Sequence, residues 1–257
     1  MTDAADPILT QERDNLLIVT INRPQAKNAF DRATAEAMEA AMDRLDEHDG
    51  LFAGIITGAG GTFSAGADLK AVARGERAGS KKRGGFGLFA KPPRKPLIAA
   101  VEGHAVAGGF ELCLACDIII AASNAKFGLP EVRHNLVAMG GGLFRLPRRM
   151  PYHLAMELAL TGDMREAELF HRHGVVSKLV RPGEALSEAL ALARKLLANG
   201  PTALAATKEI VAGSRDWTEE EAWAKQKVIA QKALQSEDRA EGLRAFAEKR
   251  RPVWKGR

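Results

Sequence analysis

Two carboxylates and two stretches of small residues carry the chemistry that this sequence is equipped for. The first stretch is residues 63–69 (FSAGADL), with Ala65, Gly66, Ala67, Asp68 and Leu69; the second is residues 103–112 (GHAVAGGFEL), with Gly108 and Gly109. Small residues leave backbone N–H groups open to a ligand. The second stretch also opens a helix, whose N-terminus adds positive dipole character. Two such N–H groups converging on one carbonyl oxygen make an oxyanion hole, in which one good donor contributes roughly 2.7–4 kcal/mol of transition-state stabilisation. Each stretch alone has a plainer reading, since Gly108-Gly109 also permits a tight helix start.

The carboxylates are Glu111 and Glu131. Glu111 interrupts the apolar run FELCL (110–114), where an acid is expensive to bury without partners or a task. Glu131 lies in FGLPEV (127–132), again between apolar neighbours. Two carboxylates close together and partly desolvated split their pKa values, so that one gives a proton while the other takes one. Each by itself also fits a surface or helix-capping acid.

Other motifs fall away. GAGGTF (58–63) nearly matches the dinucleotide fingerprint, but Phe63 replaces the third glycine and disturbs close helix–strand packing. No P-loop is present, and Ser64 in TFSAG is not a nucleophile elbow. Cys113 and Cys116 form a lone C-x-x-C among apolar neighbours, which reads as buried packing rather than zinc or redox chemistry. The six histidines show no H-E-x-x-H, and no metal is assigned.

These residues need a scaffold of ordinary composition. The 257 residues are 46% hydrophobic and 27% charged, which excludes long-range disorder and a disulfide framework. No apolar run is long enough to span a membrane. The opening MTDAADPILTQERD lacks a secretory h-region, so cytoplasm is the expected compartment. The net charge of +5 fits a partner rich in phosphate, or merely a solvated surface; Lys81, Lys82 and Arg83 fall in one loop, Lys91, Arg94 and Lys95 in another, and Arg145, Arg148, Arg149, Arg250, Arg251, Lys255 and Arg257 complete the set. With aromatics at 5% and one tyrosine, no nucleic-acid stacking platform is evident.

Strands are expected at 16–21, 52–57, 97–101 and 118–121, and helices at 31–46 (N-capped by Asp31) and 108–116. This alternation argues for an α/β fold. Residues 70–95 read as a mobile basic loop, with a helix at its start left open. Beyond Met139 strand signals nearly vanish; helices are expected near 142–150, 152–160, 184–198, 202–212, 219–234 and 236–250. The expected α/β core is thus about 135 residues long, followed by helices.

FSAGADLK, GHAVAGGFELCLACD and FGLPEV, together with INRPQAKNAF (21–30), ELALTGD (157–163) and the C-terminal SEDRAEGLRAFAEKRRPVWKG, resemble the enoyl-CoA hydratase (crotonase) family over nearly the whole chain. The resemblance implies a crotonase-like (ClpP/crotonase) α/β core of stacked ββα turns over residues 1–195, and a helical oligomerisation region over 196–257. It implies that Ala67 and Gly108 supply the oxyanion-hole N–H groups for an acyl-CoA thioester. Glu111 and Glu131, twenty residues apart, match both acids of the hydratases. Lys27, Ala65, Ala67, Asp68, Leu69 and Gly108 fall in segments that bind CoA in the family, with Lys249 a weaker match.

No resident cofactor is implied, because CoA is part of the substrate. The family usually forms homotrimers, often paired into hexamers. Two departures bear on substrate choice. Residues 138–142 read AMGGG where many hydratases have PGAGG, which puts Met139 toward the acyl pocket; and the 71–95 loop is short, basic and glycine-rich. GGFELCLACD and LFRLPRR are also similar to carnitinyl-CoA dehydratases. A Δ3,Δ2-enoyl-CoA isomerase, an acyl-CoA hydrolase and a noncatalytic or nucleic-acid-binding protein on the same fold remain alternatives.

Overall fold

The computed structural model describes residues 6–257, so the first five residues of the stretch examined for a secretory signal lie outside it. Strands β1 (Ile8–Arg13) and β2 (Leu16–Ile21) form an antiparallel hairpin turned at Asp14 and Asn15, both at positive φ. The chain continues through α1 (Arg32–Glu47), β3 (Ala53–Gly58), α2 (Leu69–Ala73), the two-residue strands β4 (Gly79–Ser80) and β5 (Gly84–Gly85), then β6 (Leu97–Val101) and β7 (His104–Val106). Next come α3 (Gly108–Ala115), β8 (Ile118–Ala122), β9 (Lys126–Gly128), α4 (Gly142–Arg145), α5 (Tyr152–Thr161), β10 (Arg165–Glu166), α6 (Ala167–Arg172) and β11 (Lys178–Val180). Four helices follow: α7 (Ala185–Leu197), α8 (Pro201–Gly213), α9 (Glu219–Leu234) and α10 (Glu237–Ala247).

The main sheet has the order β1-β2-β3-β6-β8-β11 and is parallel from β2 onward. Ile18, Ile55, Ile98 and Ile118 pair in register across four strands. Such unbroken apolar strands are expected of a parallel sheet covered on both faces. Ala185, Ala189 and Ala193 bring α7 close onto this isoleucine face, and the larger core fills the other. A second layer joins β7, β9 and β10, and single bridges extend it from Ala105 to Ser64 and from Ala67 to Phe30. Both layers therefore follow chain order: each turn gives a main-sheet strand, a short segment to the second layer, and, in the first three turns, a helix. This is the stacked ββα core of the crotonase fold.

The expected end of the strand signals needs correction. Strand signals do not end at Met139, because β11 joins the main sheet beside β8, and the α/β core runs well past 135 residues. Its three residues, beginning at exposed Lys178, are too short to show a period. The division at 195/196 falls inside α7, which packs on the sheet until Leu197.

The basic 70–95 segment is pinned rather than loose. Glu39, Asp43 and Asp46 lie on one face of α1. Arg83, only 3% exposed, donates to Asp43 (2.7 Å), to Asp46 (2.7 Å) and to the Lys91 and Met42 carbonyls. Glu39 accepts the Lys82 and Arg83 N–H groups, Lys82 pairs with Asp43, and Asp46 accepts the Arg94 N–H. Lys82, Arg83 and Arg94 thus anchor a loop to a helix.

Candidate active site

The turn after β3 is stitched to β7. Phe63 N–H donates to the Glu102 carbonyl, Ser64 N–H to that of His104, and Val106 N–H to that of Ser64. On its other side, Ala65 N–H donates to Lys27, Phe30 N–H to Gly66 and Asp68 N–H to Phe30. These bonds leave Ala67 N–H without a protein acceptor among the described residues, and the same holds for Gly108 N–H at the first turn of α3. The two turns nearly touch: a Cβ on Gly66 would lie 3.1 Å from Gly108 N. Ala107 precedes that N–H at φ 53° and ψ −131°, with its own N–H held by the Gly128 carbonyl at 2.9 Å. A non-glycine residue in this region carries about 1–3 kcal/mol of strain, which here orients the 107–108 peptide.

Glu111 sits in the first turn of α3, 3% exposed. Its Oε1 accepts the Gly142 N–H at 2.9 Å. Burial raises its pKa; the Gly142 and Gly140 N–H groups and the Arg145 charge pull it back. The carboxylate fits only because its neighbours lack side chains: a Cβ on Gly140 would come within 2.5 Å of Glu111 Oε2, and one on Gly142 within 3.0 Å of its Cγ.

Glu131 belongs to the 3-10 turn Pro130–His134 that follows β9. Burial, reinforced by the Glu111 charge, pushes its pKa up to about 7. Its Oε2 is buried with no hydrogen-bond partner among the described residues. The pair is therefore split by environment. One carboxylate is gripped by backbone donors, and the other keeps an unpartnered oxygen and is poised near neutrality. An orphaned buried acceptor of this kind is where a bound water or reacting group finds a partner.

The residues expected at the CoA end differ in exposure, from buried Gly108 to exposed Lys27 and Leu69. Lys27 is exposed at φ 51°, Leu69 is 59% exposed, and Ala65 lends its N–H to Lys27. The Asp68 side chain is engaged inside the turn, pairing with Arg23 at 3.0 Å and capping the Lys70 and Ala71 N–H groups. Burial opposes its charge, but the Arg23 and backbone hydrogen bonds outweigh it and hold its pKa low. Lys249 lies exposed just past α10. Met139, expected toward the acyl pocket, points into solvent at 88% exposed.

The sequence reading missed the aromatic wall. Phe86 stacks on Phe30 (4.2 Å between centroids) and on Phe89 (4.8 Å). Its ring presses on Gly108, where a Cβ would approach Phe86 Cζ to 2.5 Å, and Phe89 borders Gly140 beside Glu111. Two phenylalanines three apart in GGFGLF were the available signal, obscured by surrounding glycines and lysines.

A pair of N–H groups without a protein acceptor among the described residues, backed by two unequal carboxylates on stacked ββα turns, defines a site for chemistry next to a carbonyl. Comparison with known proteins agrees. A sequence model of the family described as enoyl-CoA hydratase/isomerase matches residues 11–257. The chain is 41% identical to enoyl-CoA hydratase EchA19 of Mycobacterium tuberculosis over 256 residues, 97% of this chain and 96% of that protein. It is 43% identical to a carnitinyl-CoA dehydratase of Salmonella arizonae, over 94% of this chain and 95% of that one. The crystal structure of enoyl-CoA hydratase EchA1 from Mycobacterium marinum superposes with a TM-score of 0.94 at 55% identity, covering 98% of this chain and all of the other. The chain belongs to the enoyl-CoA hydratase/isomerase family.

Proposed function

We propose that this protein adds water reversibly across the 2,3-double bond of a 2-enoyl-CoA thioester. The observation that carries the reading is the unequal pair, Glu111 and Glu131, beside two N–H groups that lack a protein acceptor among the described residues. Ala67 and Gly108 N–H groups donate to the thioester oxygen and stabilise the enolate-like state. Ionised Glu111 takes a proton from water as its oxygen bonds to C3. Protonated Glu131 then delivers its proton to C2, and the product is a 3-hydroxyacyl-CoA. Dehydration runs the same steps backwards. In both directions the pair shares one proton, so activity belongs to the singly protonated pair.

No resident cofactor or metal enters this scheme. Lys27, Ala65, Asp68 and Leu69 form the rim for the CoA end. No helix among the described residues is long and apolar enough to cross a membrane. A cytoplasmic homotrimer or homohexamer completes the reading. Exposed Trp223, Val228, Leu243 and Phe246 on α9 and α10 support self-association.

Kinship to a carnitinyl-CoA dehydratase supports a second substrate, a charged acyl-CoA. The test is loss of conjugated enoyl-thioester absorbance with crotonyl-CoA, longer 2-enoyl-CoAs and crotonobetainyl-CoA. Turnover of the first two establishes the hydratase. Turnover of crotonobetainyl-CoA alone selects the charged substrate, and silence on all three refutes the reaction. Glu111→Gln and Glu131→Gln should each lower hydration by about 10²-fold or more. Near-normal turnover in Glu111→Gln with loss in Glu131→Gln would instead indicate the isomerase.

A further inference from the structure

We infer that Arg145 is a positioning residue for the acid–base pair: one guanidinium ties the glycine turn that grips Glu111 to the loop that carries the phenylalanine wall. The inference rests on the hydratase reading only for its rate predictions.

Arg145 ends the one-turn helix α4 and is followed in sequence by Arg148 and Arg149, which by itself suggests surface charge. The structure gives it a specific task. Its Nη1 donates to the Gly140 carbonyl at 2.8 Å and its Nη2 to the Phe89 carbonyl at 2.7 Å. Its own N–H bonds the Gly141 carbonyl at 2.9 Å, and its Cζ lies 5.2 Å from the Phe144 ring centre. The turn at 140–142 therefore has two working sides. Gly142 N–H points to Glu111, while the Gly140 carbonyl points to Arg145.

Three successive glycines, one at φ 101°, have no side chains of their own to fix that turn. The planar guanidinium supplies the fixing, and it reaches two carbonyls on separate segments at once. A lysine ammonium has no such planar fork.

The guanidinium also brings charge. Burial works against the Arg145 cation while the Glu111 carboxylate favours it, and reciprocally Arg145 favours ionised Glu111. The other groups that bear on this pair are Glu131 from the turn after β9, Cys116 at the end of α3 and Arg149 beyond α4. Cys116, pushed up to about 12, stays neutral throughout the working range. Arg149 donates to the Leu114 carbonyl and not to the glycine turn, which makes it the matched control.

The experiment compares Arg145→Met, Arg145→Lys and Arg149→Met with the unaltered enzyme. Carboxyl titration of 13C-glutamate-labelled protein, with the Glu111 signal assigned by its loss in Glu111→Gln, reads the charge effect without substrate. Hydration kinetics against pH read the rest. In Arg145→Met, Glu111 should titrate about one pH unit higher. Its kcat should fall about 10–100-fold from misplacement of the carboxylate, with KM little changed.

Arg145→Lys should keep the Glu111 titration near normal yet still lose about tenfold in kcat, because one ammonium cannot replace the fork. Arg149→Met should show neither effect. An unmoved Glu111 titration in Arg145→Met overturns the proposal. So does full kcat in Arg145→Lys, which stands as the test if Arg145→Met fails to fold, or an equal effect from Arg149→Met. Unaltered enzyme that is silent toward enoyl-CoAs overturns the reaction, while the titration still decides the positioning role.

Discussion

Replacing Gly66 by alanine tests the oxyanion hole at its narrowest point. Gly66 holds φ 94°, where an L-residue is strained by about 1–2 kcal/mol. The new methyl would also lie 2.9 Å from Ala107 Cβ, 3.1 Å from Gly108 N and 3.2 Å from the Val106 carbonyl. Relieving those contacts means moving the turn that carries Ala67 away from the first turn of α3, or covering Gly108 N–H outright. Overpacking of this kind adds about 1–3 kcal/mol to the loss of stability. Displacing one donor should lower kcat by about 10²–10³-fold.

Gly61→Ala separates the two effects. Gly61 holds φ 74°, but a Cβ there meets nothing within 4 Å. It should lose about 1–2 kcal/mol of stability and no activity. Denaturant unfolding gives the stability of each variant, and enoyl-CoA hydration gives kcat and KM. A folded Gly66→Ala enzyme with near-normal kcat would refute the assignment of the hole to these two turns.

Three further outcomes follow from the same geometry. The pH profile of kcat/KM should be bell-shaped, with its alkaline limb near pH 7 from Glu131; Glu131→Gln should abolish that limb along with most activity. Because the folded pKa of Glu131, about 7, lies above its ordinary 4.5, its contribution to stability is full below 4.5 and is lost as pH rises through 7. Glu131→Gln should therefore unfold like the unaltered protein at pH 4 but be more stable at pH 8, by about 1–2 kcal/mol once the side chain's partial exposure is allowed for. Arg83→Met should cost about 3 kcal/mol or more in denaturant unfolding, because Asp46 loses its buried partner. Full stability in that variant would mean that Arg83 does not anchor the loop.

The legible parts of the fold were those whose packing leaves a period. α1 shows Met38, Met42 and Leu45 at helical spacing behind an Asp31 cap, and β6 is a run of five buried residues. β1 escaped notice because five of its six residues face solvent at a sheet edge. β7, β9 and β11 are three residues each, shorter than any window in which alternation is visible. At the site, Glu111 and Glu131 stood out because acids are anomalous among apolar neighbours. Arg83 and Arg145 did not, because an arginine in a basic stretch looks solvated until its acceptors on distant segments are known. Phe86 and Phe89 were hidden likewise by their glycine- and lysine-rich surroundings.

The cysteines of α3 acquire a meaning from the chemistry beside them. Cys113 and Cys116 are buried on the helix that presents Glu111, with both thiols pushed up by burial, Cys116 to about 12. A 2-enoyl thioester is a Michael acceptor, and polarising its carbonyl makes C3 more electrophilic toward any thiolate within reach, not only toward water. Thiols kept protonated and buried offer no such nucleophile. The packing that reads in sequence as an idle C-x-x-C thus leaves no exposed thiolate at the end of the helix that carries Glu111.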